Sequence, residues 1–313
     1  MHRSHTKHHN DLGLVMKKKP TAIALGELRW EDVRTAQTLG GSAAVFACRL
    51  AALGVSVRLA ARLGADSPGN SAIALLKNFG VDVGLIQREL GGTTNCVAHL
   101  SVSEPVSPQS TSDSHLEVEP SADLLSSAND DDILYFHSFM QGGRSSGEAL
   151  RQFVTQSGPS FKIYDIDCSE RVPTREQLEA GFAVASAVYV RGEELPVLCD
   201  LLGLPLLEPG LFASAIIERF GPSYCLVADP FAGALIASIV GEQVGIGLAR
   251  EETVDVRGWH EAYLAAFVYH VFRGSSLSHC CAAGMRYGDL VAMTSGALEP
   301  LPAELIALVT SVE

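Results

Sequence analysis

Residues 40–60 read Gly40-Gly41-Ser42-Ala43-Ala44-Val45-Phe46-Ala47-Cys48-Arg49-Leu50-Ala51-Ala52-Leu53-Gly54-Val55-Ser56-Val57-Arg58-Leu59-Ala60. The two glycines make a turn. Ser42 to Leu53 then sets Val45, Phe46, Leu50 and Leu53 at helical spacing, and Gly54 stops the helix. Val55 to Ala60 follows as a strand. The same alternation continues outward on both sides. Thr21 to Leu25 reads as a buried strand ending at Gly26, and Asn70 to Phe79 as a helix closed by Gly80 in the left-handed position that helix ends favour. Further strands are expected at Thr94 to Val102, Ile133 to Phe136, Lys162 to Ile166, Ala187 to Val190 and Cys225 to Ala228, with a hairpin at Ala234 to Ile239 and Gln243 to Gly247. Helices are expected at Gly147 to Gln156, Gln177 to Ala183, Glu193 to Leu202 and His260 to Phe272, and Cys280-Cys281 lies in a helical stretch of small residues. Alternating strands and helices of these lengths build a largely parallel sheet, which binds ligands beyond the carboxyl ends of its strands.

The bulk composition narrows the function. A chain of 313 residues with 47% hydrophobic and 19% charged residues affords one large α/β domain with a sizeable core. Its formal net charge of −13 is repelled by nucleic acid and by anionic membranes, so neither is an expected partner. The basic run Lys17-Lys18-Lys19 reads as a solvated tail. Seven scattered cysteines argue against a disulfide framework or a zinc site, and no signal peptide or membrane-length apolar run is visible, so the expected compartment is the cytoplasm. Residues 1–19, with His2, His5, His8 and His9, are expected to be a leader or tag-like extension, and 20–313 a single domain. Residues 103–132 are rich in Ser, Pro and Asp and read as a loop.

The order of the short motifs resembles the PfkB family of carbohydrate kinases, closest in texture to the fructokinases, from about Thr21 to the C-terminus. Gly26-Glu27-Leu28-Arg29-Trp30-Glu31 is similar to the family's G-E-x-L-W-D. It implies that Glu31, with Asp32 beside it, accepts hydrogen bonds from sugar hydroxyls. Gly40, Gly41 and the helix after them resemble G-G-x-x-x-N-x-A, with Val45 where an Asn reads the sugar. Gly64-Ala65-Asp66-Ser67-Pro68-Gly69 keeps the family's G-x-D-x-x-G. Asp165-Ile166-Asp167-Cys168-Ser169 stands for D-x-N-x-R: Asp165 is kept as a substrate contact, and Ser169 cannot supply the charge of the Arg. Arg191-Gly192-Glu193-Glu194 stands for N-x-x-E, in which Glu194 would orient magnesium-bound water. Val227 to Gly233 stands for the nucleotide loop V-T-x-G-x-x-G, with Gly233 kept, Ala228 for the Thr and Pro230 for a Gly.

Asp255-Val256-Arg257-Gly258-Trp259-His260-Glu261 stands where the family has D-T-x-G-A-G-D, an anion hole of backbone N–H groups at a helix N-terminus with a terminal Asp as base. Asp255 and Gly258 match, and Glu261 takes the base's place. Arg257, Trp259 and His260 would border the nucleotide, the last two as bulk where the family has Ala and Gly. The resemblance implies a ribokinase-like, doubly wound α/β/α sandwich with a small β-lid from about 27–40 and 94–120. It further implies a homodimer through paired lids, and transfer of phosphoryl from Mg-ATP to a sugar or nucleoside hydroxyl. A base one methylene longer and a crowded anion hole predict activity that is weak or lost. The alternative is a pseudokinase that binds a ligand or partner without catalysis. A dinucleotide oxidoreductase fits poorly, because no G-x-G-x-x-G follows the first strand.

Overall fold

The strands are β1 (Thr21–Leu25), β2 (Arg29–Val33), β3 (Ala36–Gly40), β4 (Ser56–Ala60), β5 (Arg62–Gly64), β6 (Gln87–Glu89), β7 (Asn95–Val97), β8 (Ile133–His137), β9 (Phe161–Asp165), β10 (Ala187–Arg191), β11 (Tyr224–Asp229), β12 (Gly233–Ser238) and β13 (Gln243–Gly247). They belong to a computed structural model that describes residues 19–33, 36–90, 92, 95–97, 117–129, 131–158, 160–169, 171–247 and 253–311. Residues 1–18 of the expected leader and 98–116 of the expected second lid segment lie outside the described residues. Eight strands form one sheet in the order β13-β12-β11-β10-β9-β8-β1-β4. Pairing is parallel from β4 to β11 and antiparallel for β12 and β13.

Side chains alternate between the two faces, as strand geometry requires. On β8, Ile133 and Tyr135 join the core beneath helices Ser42–Ala52, Trp259–Val271 and Leu277–Ala292. Leu134 and Phe136 join the opposite core, beneath helices Arg144–Gln156, Arg175–Val184, Leu195–Leu202 and Pro209–Phe220. A sheet covered on both faces explains why its central strands read as continuous apolar runs. A second sheet, β3-β2-β7, is made from the two stretches that the resemblance assigned to a lid, and β5 pairs with β6 in a third.

Helices Ser67–Asn78, Arg144–Gln156 and Arg175–Val184 begin earlier than their apolar periodicity suggests, and side-chain caps explain the first and the last. Helix Ser67–Asn78 starts behind Asp66, whose carboxylate accepts the Gly69 N–H at 2.8 Å. Arg175–Val184 starts behind Thr174, which forms a reciprocal capping box with Gln177. The segment expected as one helix over Glu193 to Leu202 is a 3₁₀ turn, Gly192–Glu194, followed by helix Leu195–Leu202. The parallel strands β8, β9, β10 and β11 end at His137, Asp165, Arg191 and Asp229, so a row of four polar residues runs along one edge of the sheet, at the carboxyl ends of its strands.

Candidate functional site

Beyond that edge lies a cavity of about 680 Å³. Its lining brings together Glu31, Gly40, Gly41, Glu194, Arg257, Gly258, His260 and Glu261 from the residues singled out in the sequence. It adds residues the sequence did not nominate, among them Arg29, Glu193, Asp229 and Phe231. Asp165, Asp255, Gly233 and Trp259 do not line it. Asp165 lies beneath, 1% exposed, and Gly233 borders a neighbouring cavity of about 510 Å³. Asp32 is described only by its backbone, opposite Gln37 in the β2–β3 pair.

Arg191 is the electrostatic centre. Its Nη1 donates to Asp165 Oδ1 at 3.2 Å and to the Ile166 carbonyl oxygen. Its Nη2 stands 3.2 Å from Asp167 Oδ2 and 3.8 Å from Glu261 Oε1. Asp165 also accepts from the Tyr135 hydroxyl at 2.6 Å. Burial pushes the Asp165 carboxyl up to about 6, with Arg191 pulling the other way. Asp167 goes the opposite way. Burial acts to raise it, but Arg191 and two hydrogen bonds from Ser169 hold it well below the carboxylate range. A buried guanidinium among carboxylates is costly to disrupt, because removing it leaves unpaired buried charge.

The N-terminal turn of helix Trp259–Val271 faces this cluster. Gly258 caps it with φ +78°, and a Cβ there would stand 2.8 Å from the Ala297 carbonyl oxygen, so neither the conformation nor the space admits a side chain. The loop behind Gly258 is held by buried Arg49, whose Nε donates to Ala297 O and Nη1 to Glu299 O, each at 3.1 Å. The expected crowding by Trp259 does not occur. Its indole is fully buried, stacks on Tyr263 at 5.5 Å and donates to Asp289 Oδ1 at 3.0 Å. Gly288 makes room for it: a Cβ at that position would lie 2.6 Å from the indole nitrogen. His260 does line the cavity, and its Nδ1 shares a 2.7 Å hydrogen bond with the Tyr189 hydroxyl. Burial, and then the Arg191 charge, keep its imidazole neutral. Glu261, 7% exposed, is raised by burial against the pull of Arg191, its own N–H and the Ser42 hydroxyl.

At the other end, Glu31 lies against Gly40, where an added Cβ would stand 2.2 Å from its Oε1. Arg29 Nε donates to Glu31 Oε1 at 3.3 Å, and Arg257 Nη1 is 3.9 Å from Oε2. Asp255 serves this end indirectly. It accepts both the backbone N–H and Nε of Arg257 at 3.0 Å and the Gly296 N–H at 2.9 Å. These bonds hold its carboxyl below the usual range although burial acts to raise it. His137 is buried with neither ring nitrogen hydrogen-bonded, 3.9 Å from Glu27 Oε1. Burial keeps it neutral. Its signal in the sequence was its place at the end of β8, in register with Asp165.

The residues present do not make a fitted site for a divalent ion. Among the described residues no group of three or more His, Cys, Asp or Glu is placed to hold a metal. Glu194 uses Oε1 to accept the Cys168 N–H at 2.7 Å. Burial pushes its carboxyl up to about 8, and the Arg191 guanidinium already stands beside Asp167 and Glu261. The first helical turn at Gly258, by contrast, does fit a phosphate, because N-terminal N–H groups and the helix dipole favour anions.

A sequence model described as pfkB family carbohydrate kinase matches residues 13–304. No curated protein matches the chain. Among solved structures, it is similar to an aminoimidazole riboside kinase of Salmonella enterica complexed with aminoimidazole riboside and an ATP analogue, with 17% identity, 92% of this chain and 99% of that one covered, and a TM-score of 0.73. A fructokinase of Xylella fastidiosa with bound ATP is 17% identical over 90% of this chain and 94% of that one, with a TM-score of 0.73. A fructokinase of Vibrio cholerae bound to fructose, ADP and calcium ion is 21% identical over 94% of this chain and 100% of that one, also with a TM-score of 0.73. These likenesses establish the ribokinase-like α/β fold with its large helix-flanked sheet. No helix among the described residues is long and apolar enough to cross a membrane.

Proposed function

The chain belongs to the pfkB family of carbohydrate kinases, and on that premise we propose that it transfers the γ-phosphoryl group of ATP to a hydroxyl of a sugar or nucleoside. The observation that carries this reading is the helix turn at Gly258 to Glu261. It opens onto the same cavity as Glu31, while the Trp259 side chain is turned into the core. The phosphates of ATP would lie against that turn, near Arg191, with Arg257 bordering them from the acceptor side. Glu31 and Gly40–Gly41 would hold the acceptor. Glu261 would take the proton of the acceptor hydroxyl as its oxygen attacks the γ-phosphorus. The bond from that phosphorus to the bridging oxygen breaks, and ADP leaves.

Burial raises the Glu261 carboxyl, the direction that makes a carboxylate a stronger base. Its 3.8 Å approach to Arg191 opposes that role by lowering the carboxylate's affinity for the proton it must take. Val45 in the cavity wall offers no hydrogen bond to a polyol. Both features predict slow turnover, and they favour the second reading, a pseudokinase that binds without catalysis. The same proposal takes β3-β2-β7 as a lid over the acceptor, with a homodimer through that sheet and a cytoplasmic location. The deciding experiment is ATP-dependent ADP release across a panel of sugars and nucleosides, with Glu261→Ala as control. Turnover that needs one acceptor and vanishes in the variant supports the kinase. Release equal to the variant's, at enzyme concentrations near the substrate's, leaves the binding protein.

A further inference from the structure

We infer that Arg191 is the fixed cation of this site, so that the chain binds the phosphates of its nucleotide without a divalent metal ion. The inference rests on the nucleotide reading above. It starts from charge. The cavity is lined by the acidic side chains Glu31, Asp167, Glu193, Glu194, Asp229 and Glu261, of which Glu194 holds its proton up to about pH 8, against Arg29, Arg191 and Arg257. A polyphosphate entering such a cavity needs positive charge where its oxygens lie. Arg29 and Arg257 are drawn to Glu31 at the acceptor end. Arg191 is the remaining lining cation among the described residues, 3.8 Å from Glu261 in the first turn of the phosphate-facing helix.

Position and donors support the same conclusion. The resemblance puts an arginine at 169, but Ser169 turns its hydroxyl to Asp167 Oδ1 at 2.5 Å, and the guanidinium arrives instead from β10. A guanidinium carries five N–H donors in a planar fork suited to phosphate. Both hydrogen bonds that tie Arg191 down come from Nη1, to Asp165 and Ile166, while Nη2 stands in ion-pair range of Asp167 and Glu261. A divalent ion placed between those two carboxylates would meet this guanidinium at contact distance. The two cations therefore compete for one position, and the covalently attached one holds it.

The test is calorimetric titration of the full chain with ADP and ATP, once in excess EDTA and once in magnesium. Wild type is compared with Arg191→Asn and Arg191→Lys, each first checked for native tertiary structure by near-UV circular dichroism. The wild-type dissociation constant should change by less than about threefold between the two conditions, and so should that of Arg191→Lys, which keeps the charge. Arg191→Asn should weaken by about tenfold or more in EDTA and regain affinity in magnesium. Should Arg191→Asn fail to fold, the wild-type and lysine titrations decide alone. A wild type that loses about tenfold or more in EDTA overturns the inference and leaves the nucleotide reading standing. Absence of nucleotide binding under both conditions overturns both. Saturable binding of magnesium alone to the wild type also overturns the inference.

Discussion

Trp259→Ala puts back the small residue that the family pattern has at this position, and the structure predicts damage rather than repair. The indole is 0% exposed, stacks on Tyr263 at 5.5 Å and donates a 3.0 Å hydrogen bond to Asp289. Truncating so large a buried aromatic costs about 3–5 kcal/mol, since the cavity it leaves collapses only in part. Urea denaturation followed by far-UV circular dichroism should show an unfolding free energy lower by that amount, and ADP affinity should not improve. Gly288→Ala alone should destabilise by about 1–3 kcal/mol, because its Cβ would lie 2.6 Å from the indole nitrogen. In Trp259→Ala/Gly288→Ala the clash disappears with the indole, so the double variant should be more stable than the sum of the single losses predicts. A Trp259→Ala protein that gains about tenfold in ADP affinity with stability unchanged within about 1 kcal/mol would refute the placement of the indole.

Glu261→Gln should lower acceptor-dependent turnover by about 10²–10⁴-fold, the range for loss of a general base. In the wild type the acid limb should lie above the ordinary glutamate value of 4.5, because burial raises Glu261 and the base must be ionised to act. Glu194→Gln should flatten stability against pH. The Glu194 carboxyl is raised from 4.5 to about 8, so the folded state holds its proton longer, and stability falls as pH rises between those values. Equilibrium denaturation across that window should show the wild-type decline and little of it in the variant. Gly40→Ala drives a Cβ to within 2.2 Å of the Glu31 carboxylate. Acceptor affinity should fall, with a stability loss of about 1–3 kcal/mol, and an unchanged acceptor constant would remove Glu31 from the acceptor site.

The sheet was legible because its strands are short apolar runs bounded by glycines, and the helix Ser42–Ala52 because its apolar spacing ends in one. Helix Pro209–Phe220 escaped notice because Pro209-Gly210 reads as a turn, although Pro in the first helical turn is favoured. The motif residues Glu31, Gly40, Gly41, Gly258 and Glu261 meet in one cavity, so their order along the chain carried spatial information. The direction of Trp259 was not readable locally. It depends on Gly288, Asp289 and Tyr263, and on the rotation of one helix against another. The role of Arg191 was hidden for a similar reason: its partners Asp165, Asp167 and Glu261 come from two other segments.

Arg49 and Ala297, whose hydrogen bond backs the Gly258 turn, are 248 positions apart in the sequence. Such a contact forms late, since distant segments close slowly. A chain emerging from the ribosome therefore presents Glu31 and Arg191 well before the turn that completes the cavity exists. A ligand that needs the finished cavity has nothing to seize in the early folding ensemble. Its stabilising effect should then appear as slower unfolding of the finished protein, with the rate of folding left nearly unchanged.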